Sequence, residues 1–261
     1  MLLAACLVVA AAALSSQEPD TFEPKLHQPG KDVQWVPTPP ALVEKMLDLA
    51  RLTPEDRLVD LGSGDGVFVI AAVRRGARAW GIEYDRQLVE YSKRKAREAG
   101  LESRTKFVRG DVFKTDFSDA TVVTTFLLPS MNFQLRATFL AMRPGTRIVA
   151  NTFGIADWEP EERVKIDPCD RWCEGMLWIV PARVGGTWRT PQGDLVLTQR
   201  FQKFSGTLGQ QPVEGRLRGE GITFTAGTTT YRGRVHGQDM HVSAVADGRP
   251  VEWHARPVLR R

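Results

Sequence analysis

Val59-Asp60-Leu61-Gly62-Ser63-Gly64-Asp65-Gly66 places three glycines in five residues between two apolar runs. Leu58-Val59-Asp60-Leu61 has the composition of a buried strand end, and Val67-Phe68-Val69-Ile70-Ala71-Ala72-Val73 that of a buried helix. Strand, Gly-rich turn and helix in this order open a nucleotide-binding α/β fold. Glycines let the backbone turn tightly and approach a ligand, because no Cβ intervenes. The helix that follows aims its first N–H groups at whatever occupies the turn.

The spacing is G-x-G-x-G, not the G-x-G-x-x-G of dinucleotide enzymes, with Asp60 two residues ahead of it. The next strand-like run, Arg78-Ala79-Trp80-Gly81-Ile82, ends in Glu83, about 20 residues on, where a carboxylate can accept from both hydroxyls of a ribose. A third, Thr105-Lys106-Phe107-Val108-Arg109, ends in Gly110-Asp111, where a carboxylate can accept from an adenine amino group. Three successive strand ends, each with a carboxylate, resemble the S-adenosylmethionine (SAM) site of the class I, seven-strand methyltransferases. The alternative is a nicotinamide-binding or ligand-free Rossmann-like domain.

From Val36 to Pro181 the chain resembles, more narrowly, bacterial relatives of the ATP synthase c-subunit lysine methyltransferase family. The residues that carry this are Pro37-Thr38-Pro39-Pro40, the Gly-rich turn, Gly81-Ile82-Glu83-Tyr84-Asp85 and Gly110-Asp111. The resemblance implies SAM as co-substrate and a cofactor-binding set of Thr38, Asp60, Gly62, Gly64, Gly66, Glu83 and Asp111. It implies a methyl acceptor that includes a protein lysine amine among the candidates. Enzymes acting on planar amines often carry Asn or Asp before Pro-Pro at the fourth strand end. Here that place reads Leu127-Leu128-Pro129-Ser130, with no carboxamide, which argues against nucleic-acid adenine methylation. Backbone carbonyls or Asn132 are left to receive an amine, Asn132 and Asn151 being equally readable as structural. No catalytic residue is assigned, since methyl transfer needs no covalent protein nucleophile. Two other readings stay open: a small-molecule or lipid methyltransferase, and a non-catalytic SAM-binding envelope protein.

Around this centre, Thr38 is expected to cap a helix whose first turn tolerates Pro39 and Pro40, or to line the sulfonium end of the ligand. Leu42, Val43, Met46, Leu47 and Ala50 form that helix's apolar stripe. A second crossover helix, Arg86 to Ala99, is expected to bury Leu88, Val89, Tyr91 and Ala96. Thr121 to Leu127 and Thr146 to Ala150 read as buried strands, with a helix from Met131 to Met142 between them. Val164-Lys165-Ile166 and Met176 to Val180 supply two more strands. The alternation predicts a parallel sheet with helices on both faces.

At Pro181 the pattern changes to short strands with Gly turns, a β-meander of seven or eight strands forming a small barrel or sandwich. Trp188 and Trp253 read as its core plugs. The expected fold is thus α/β, a Rossmann-like seven-strand methyltransferase sheet, plus an all-β C-terminal module. The expected division is 1–16 signal peptide or membrane anchor, 17–34 linker, 35–181 methyltransferase domain and 182–261 meander.

The net charge of +4 is spread over 35 basic and 31 acidic residues that intermingle, which describes a solvated surface rather than a nucleic-acid patch. Leu2 to Leu14 is an apolar run too short to span a membrane comfortably, followed by Ser15-Ser16-Gln17-Glu18-Pro19. It reads as an export signal although no Lys or Arg precedes Lys25; a cytoplasm-facing anchor is the alternative, and either allows membrane association. Cys169 and Cys173 either close a small disulfide in an oxidising compartment or remain two thiols. No metal site is expected: no His neighbours the cysteines, and His236, His241 and His254 fall on different strands.

Overall fold

The computed structural model describes residues 22–28, 33–246 and 248–258. The apolar run Leu2 to Leu14, and with it the targeting expectation, lies outside the described residues. Seven strands form one sheet: β1 (Arg57–Leu61), β2 (Arg78–Glu83), β3 (Thr105–Arg109), β4 (Val122–Thr125), β5 (Arg147–Asn151), β6 (Glu162–Lys165) and β7 (Glu174–Ile179), in the order β3-β2-β1-β4-β5-β7-β6. The order reverses between β1 and β4, which opens a crevice beyond the carboxyl ends of the strands. The sheet is not purely parallel as expected. β7 runs antiparallel to both β5 and β6, because only the short stretch from Ile166 to Cys173 joins β6 to β7 and a parallel return needs a longer crossover.

Helices α1 (Pro40–Leu49), α2 (Val67–Arg74), α3 (Arg86–Glu98) and α4 (Pro129–Ala141) cover the sheet. One core joins Leu42, Met46 and Leu47 of α1 to Phe68, Val69 and Val73 of α2. The other joins Leu135 and Phe139 of α4 to Ile148, Trp158 and Trp178. Two expected details are corrected. Thr38 does not cap α1: Pro39 is the N-cap, its carbonyl accepts from the Leu42 and Val43 N–H groups, and the Thr38 hydroxyl is turned to Asn151 instead. In α3 the buried polar residue is Ser92, whose hydroxyl donates to the Gly64 and Leu88 carbonyls. Tyr91 is only half-buried and meets Phe22 edge-on.

The C-terminal meander closes on itself. Strands β8 (Gly186–Thr190), β9 (Gly193–Arg200), β10 (Lys203–Leu208), β11 (Gln211–Arg218), β12 (Gly221–Ala226), β13 (Thr229–His236), β14 (Asp239–Ala246) and β15 (Arg249–Pro257) form an eight-stranded antiparallel barrel, β15 pairing back to β8. Alternate residues point inward, and Leu195, Phe204, Phe224, Tyr231, Met240 and Trp253 fill the interior. Trp188 and Trp253 are buried as expected. His236, His241 and His254 are on the outside, each beside a carboxylate.

The barrel sits on the sheet domain through a mixed interface. Trp158 stacks on Phe201, and its indole N–H donates to Gln202 Oε1 at 2.9 Å. Gln202 in turn donates to the Glu159 carbonyl. Arg200, Lys203, Arg216 and Arg218 pair with Asp157, Glu159, Glu161 and Glu162.

Candidate active site

A cavity of about 250 Å³ lies in the crevice beyond β1, β2, β3 and β4. Its floor is the Gly-rich turn. Gly62 and Gly64 have φ of +72° and +50°, conformations that L side chains resist. A Cβ on Gly64 would stand 3.0 Å from Trp35 Nε1, and one on Gly62 would stand 2.8 Å from Leu127 Cδ2. Ser63 lines the same floor with a buried hydroxyl that has no partner among the described residues, an available donor and acceptor in the cavity wall.

Asp60, Thr38, Glu83 and Asp111 all line this cavity, so segments far apart in sequence converge as expected. Asp60 is buried and accepts from Thr124 Oγ1 at 2.7 Å. Burial pushes its carboxyl up to about 7; the Thr124 hydrogen bond opposes this, while the nearby Asp65 and Glu83 charges add to it. Glu83 bridges the turn: Oε2 accepts from Gly64 N–H at 3.0 Å and Oε1 from Asp85 N–H at 2.8 Å. Burial raises its pKa against these backbone donors. Asp111 Oδ1 accepts from Phe113 N–H at 2.9 Å, and Lys114 lies 3.4 Å from Oδ2. The Thr38 hydroxyl accepts from Asn151 Nδ2 at 3.2 Å.

Gly66 departs from the expected set because it does not line the cavity. A Cβ there would stand 2.7 Å from the Phe107 ring, so this glycine lets the start of α2 lie against β3. Asn132 is also away from the cavity. Its amide donates to the carbonyls of Phe153, at 3.0 Å, and Gly154, which makes it a loop anchor. From the stretch 17–34, read as a linker, Gln28, Val33 and Gln34 line the cavity, next to Trp35 and Val36 of the domain itself. Arg94 anchors the start of this strap by donating to the Phe22 carbonyl and to Glu23. Trp35, Ser63, Phe126 and Met131 escaped sequence reasoning; the one available signal was a tryptophan in an otherwise polar, Pro-flanked stretch. Among the described residues no cluster of three metal-ligating side chains occurs. Cys169 and Cys173 are joined by a disulfide.

Comparison with known proteins agrees with this geometry. A family model for the ANTKMT methyltransferase domain matches residues 60–162. The protein-lysine N-methyltransferase of Saccharolobus islandicus (strain REY15A) is 36% identical over 138 residues, which cover 52% of this chain and 86% of that protein. The chain belongs to this methyltransferase family. The methyltransferase is also 36% identical over 129 residues to the ATP synthase c-subunit lysine N-methyltransferase of Mus musculus, covering 48% of this chain and about half, 52%, of that relative. A solved RNA methyltransferase from Salinibacter ruber, in complex with S-adenosyl-L-homocysteine, is 42% identical with a TM-score of 0.54, covering 57% of this chain and 96% of that one. SAM is therefore the co-substrate of this methyltransferase, as the carboxylates at the strand ends imply. The barrel lies beyond the family match.

Proposed function

We propose that this methyltransferase transfers the SAM methyl group to a protein lysine amine, with the crevice cavity as donor site. The observation that carries the donor site is the convergence of Asp60, Gly62, Gly64, Glu83 and Asp111 on one cavity. Glu83 would hold the ribose hydroxyls and Asp111 the adenine amino group. Asp60 would face the positive end of the ligand, whose charge favours the ionised carboxyl against burial. Gly62 and Gly64 give backbone access, and Thr38 lines the wall nearest the acceptor. The lysine assignment is supported by the activities for which the archaeal and mouse relatives are named.

SAM supplies a methyl group on a sulfonium leaving group. The amine attacks with its lone pair as the sulfur–carbon bond breaks, so a lysine ammonium must first lose a proton. The apolar walls Val36, Leu127 and Met131, deeper in the donor cavity, favour the neutral amine over the ammonium. One specific observation favours an RNA acceptor instead, the 42% identity to the Salinibacter ruber enzyme. The absence of a carboxamide in Leu127-Leu128-Pro129-Ser130 weighs against only one form of that reading, methylation of an adenine amine. Labelling a cell extract with methyl-tritiated SAM and this enzyme decides between them. Protease-sensitive, RNase-resistant label in methyl-lysine is expected; label lost only to RNase overturns the lysine assignment.

Export of the chain is part of the same proposal. It rests on Leu2 to Leu14 and is supported by the Cys169–Cys173 disulfide, a bond favoured in oxidising compartments. SAM, being charged, does not cross a bilayer unaided, so an exported enzyme needs a carrier for it. A reporter active only outside the cytoplasm, fused after residue 34 of the full N-terminal segment, is expected to be active. Activity of a cytoplasm-only reporter in its place overturns export.

A further inference from the structure

A second cavity, of about 500 Å³, lies beside the first and is lined by His27, Val36, Pro37, Pro39, Ile166 and the loop from Pro168 to Trp172. The two chambers are neighbours, with Val36 lining both. Aromatic rings stand at the same junction. Phe126, which lines the first cavity, lies 5.7 Å from the ring of Trp172, which lines the second, and Phe153 lies 6.1 Å and 5.6 Å from the two. Phe126 follows β4, Phe153 follows β5 and Trp172 precedes the reversed β7, so the rings share the carboxyl edge of the sheet. All three are half-buried and present surface.

The backbone around these rings is held in conformations the side chains do not favour. Trp172 and Thr152 both have φ of +60°, a region that bulky and β-branched residues avoid. Such backbone persists only where the surroundings over-determine it. For Trp172 the surroundings are the disulfide that closes residues 169–173 around it. For Thr152 they are its N–H bond to the Glu174 carbonyl and the Asn132 amide that grips the next carbonyl.

We infer that Phe126, Phe153 and Trp172 form a wall that binds an alkylammonium side chain on its way from the second cavity to the donor site, with Trp172 positioned by the Cys169–Cys173 disulfide. Aromatic faces attract ammonium groups, and do so best for tryptophan. Asp170 and Arg171 of the same loop both line this chamber, so their charges offset and the aromatic faces are what would select a cation. A lysine side chain is the occupant whose charge and length suit such a passage; in this the inference rests on the lysine reading above. Reduction of the disulfide releases Trp172 and weakens the acceptor while leaving the donor site intact, because neither cysteine lines the first cavity.

The test uses the full chain with S-adenosyl-L-homocysteine bound and a defined probe, N-acetyl-trimethyllysine methylamide, beside its uncharged tert-butyl isostere. We expect the cation to bind at least ~10-fold more tightly than the isostere. Trp172→Ala and Phe153→Ala should each weaken the cation by ~5-fold or more, with Trp172→Phe restoring most of the loss. Cys169→Ser, or a phosphine reductant on the unmodified chain, should fall between. The SAM dissociation constant should stay within ~2-fold throughout, which separates loss of the wall from misfolding. Equal binding of the isostere, or binding indifferent to both alanine variants, overturns the wall. If extract label enters lysine while the probe ignores the wall, the wall is wrong and the lysine reading stands. If the probe binds as described but label enters RNA alone, the wall stands as a cation site and the lysine reading falls.

Discussion

Asp60 carries the clearest consequence of a single buried group. Its carboxyl ionises near 7 in the fold because burial disfavours the charge, whereas in the unfolded chain it ionises near 3.8. Between those values the folded protein binds the proton and the unfolded chain does not. Stability therefore falls as pH rises from about 4 to about 7 and levels off above. Three pH units correspond to as much as about 4 kcal/mol. Asp60→Asn, permanently neutral, should lack this decline, so its melting temperature minus that of the parent should grow from pH 4 to pH 7 in ligand-free protein. A difference that is flat across that range contradicts the assignment. The same variant should bind SAM more weakly at pH 8, where the parent offers a carboxylate. Glu83 differs because its oxygens already hold two backbone N–H groups. Glu83→Ala should weaken SAM by on the order of 1–3 kcal/mol by calorimetry. Glu83→Gln should lose less, since an amide oxygen still accepts from Gly64. These carboxylates were readable from sequence because each closes an apolar strand. Trp35, Phe126 and Trp172 were not, because an isolated aromatic in a loop has no period to declare which surface it faces.

The elements divide the glycine turn into two functions that the motif alone presented as one. Gly64 faces the cavity wall at Trp35, whereas Gly66 lies under the Phe107 ring at the start of α2. Gly64→Val should therefore reduce SAM affinity by ~10-fold or more, because the new methyl groups enter the space between the turn and the strap. Gly66→Ala should act on stability, by on the order of 1–3 kcal/mol, through its positive φ and its collision with the ring. Denaturant midpoints and SAM titrations on both variants check this split; Gly66→Ala that keeps full stability but loses SAM would reverse it. The order strand, turn, helix was legible because alternation of apolar runs and glycines is local. The reversal of β7 was not, since strand direction depends on how short the connection from β6 turns out to be.

At the scale of the whole molecule, the position of the barrel matters more than its closure. Closure itself was hidden in the sequence, because it joins Trp188 and Arg189 to Pro257 and Arg256 across the whole meander. Among the described residues the barrel contributes none to the donor cavity, yet it holds the stretch that follows β5. Gln202 Oε1 accepts a hydrogen bond from the Trp158 indole N–H, and the Ile155–Trp158 bridge sits just beyond Phe153. Among the docking ion pairs, Lys203–Glu159 and Arg200–Asp157 are exposed on both sides and contribute little. Arg216–Glu161 is different: the Glu161 side chain is 4% exposed, and its other oxygen is buried with no partner among the described residues. Removing the arginine leaves a buried carboxylate uncompensated, at a cost of roughly 3 kcal/mol. Arg216→Ala should accordingly lower the melting temperature by several degrees, while Lys203→Ala changes it little, and Glu161→Gln added to Arg216→Ala should recover part of the loss. A chain ending at Pro181 should still bind SAM, with a larger fall in stability because Trp158 is uncovered. Equal stability of the two single variants would mean that the barrel is docked by its apolar contacts alone, and loss of SAM binding in the shortened chain would mean that it completes the donor site.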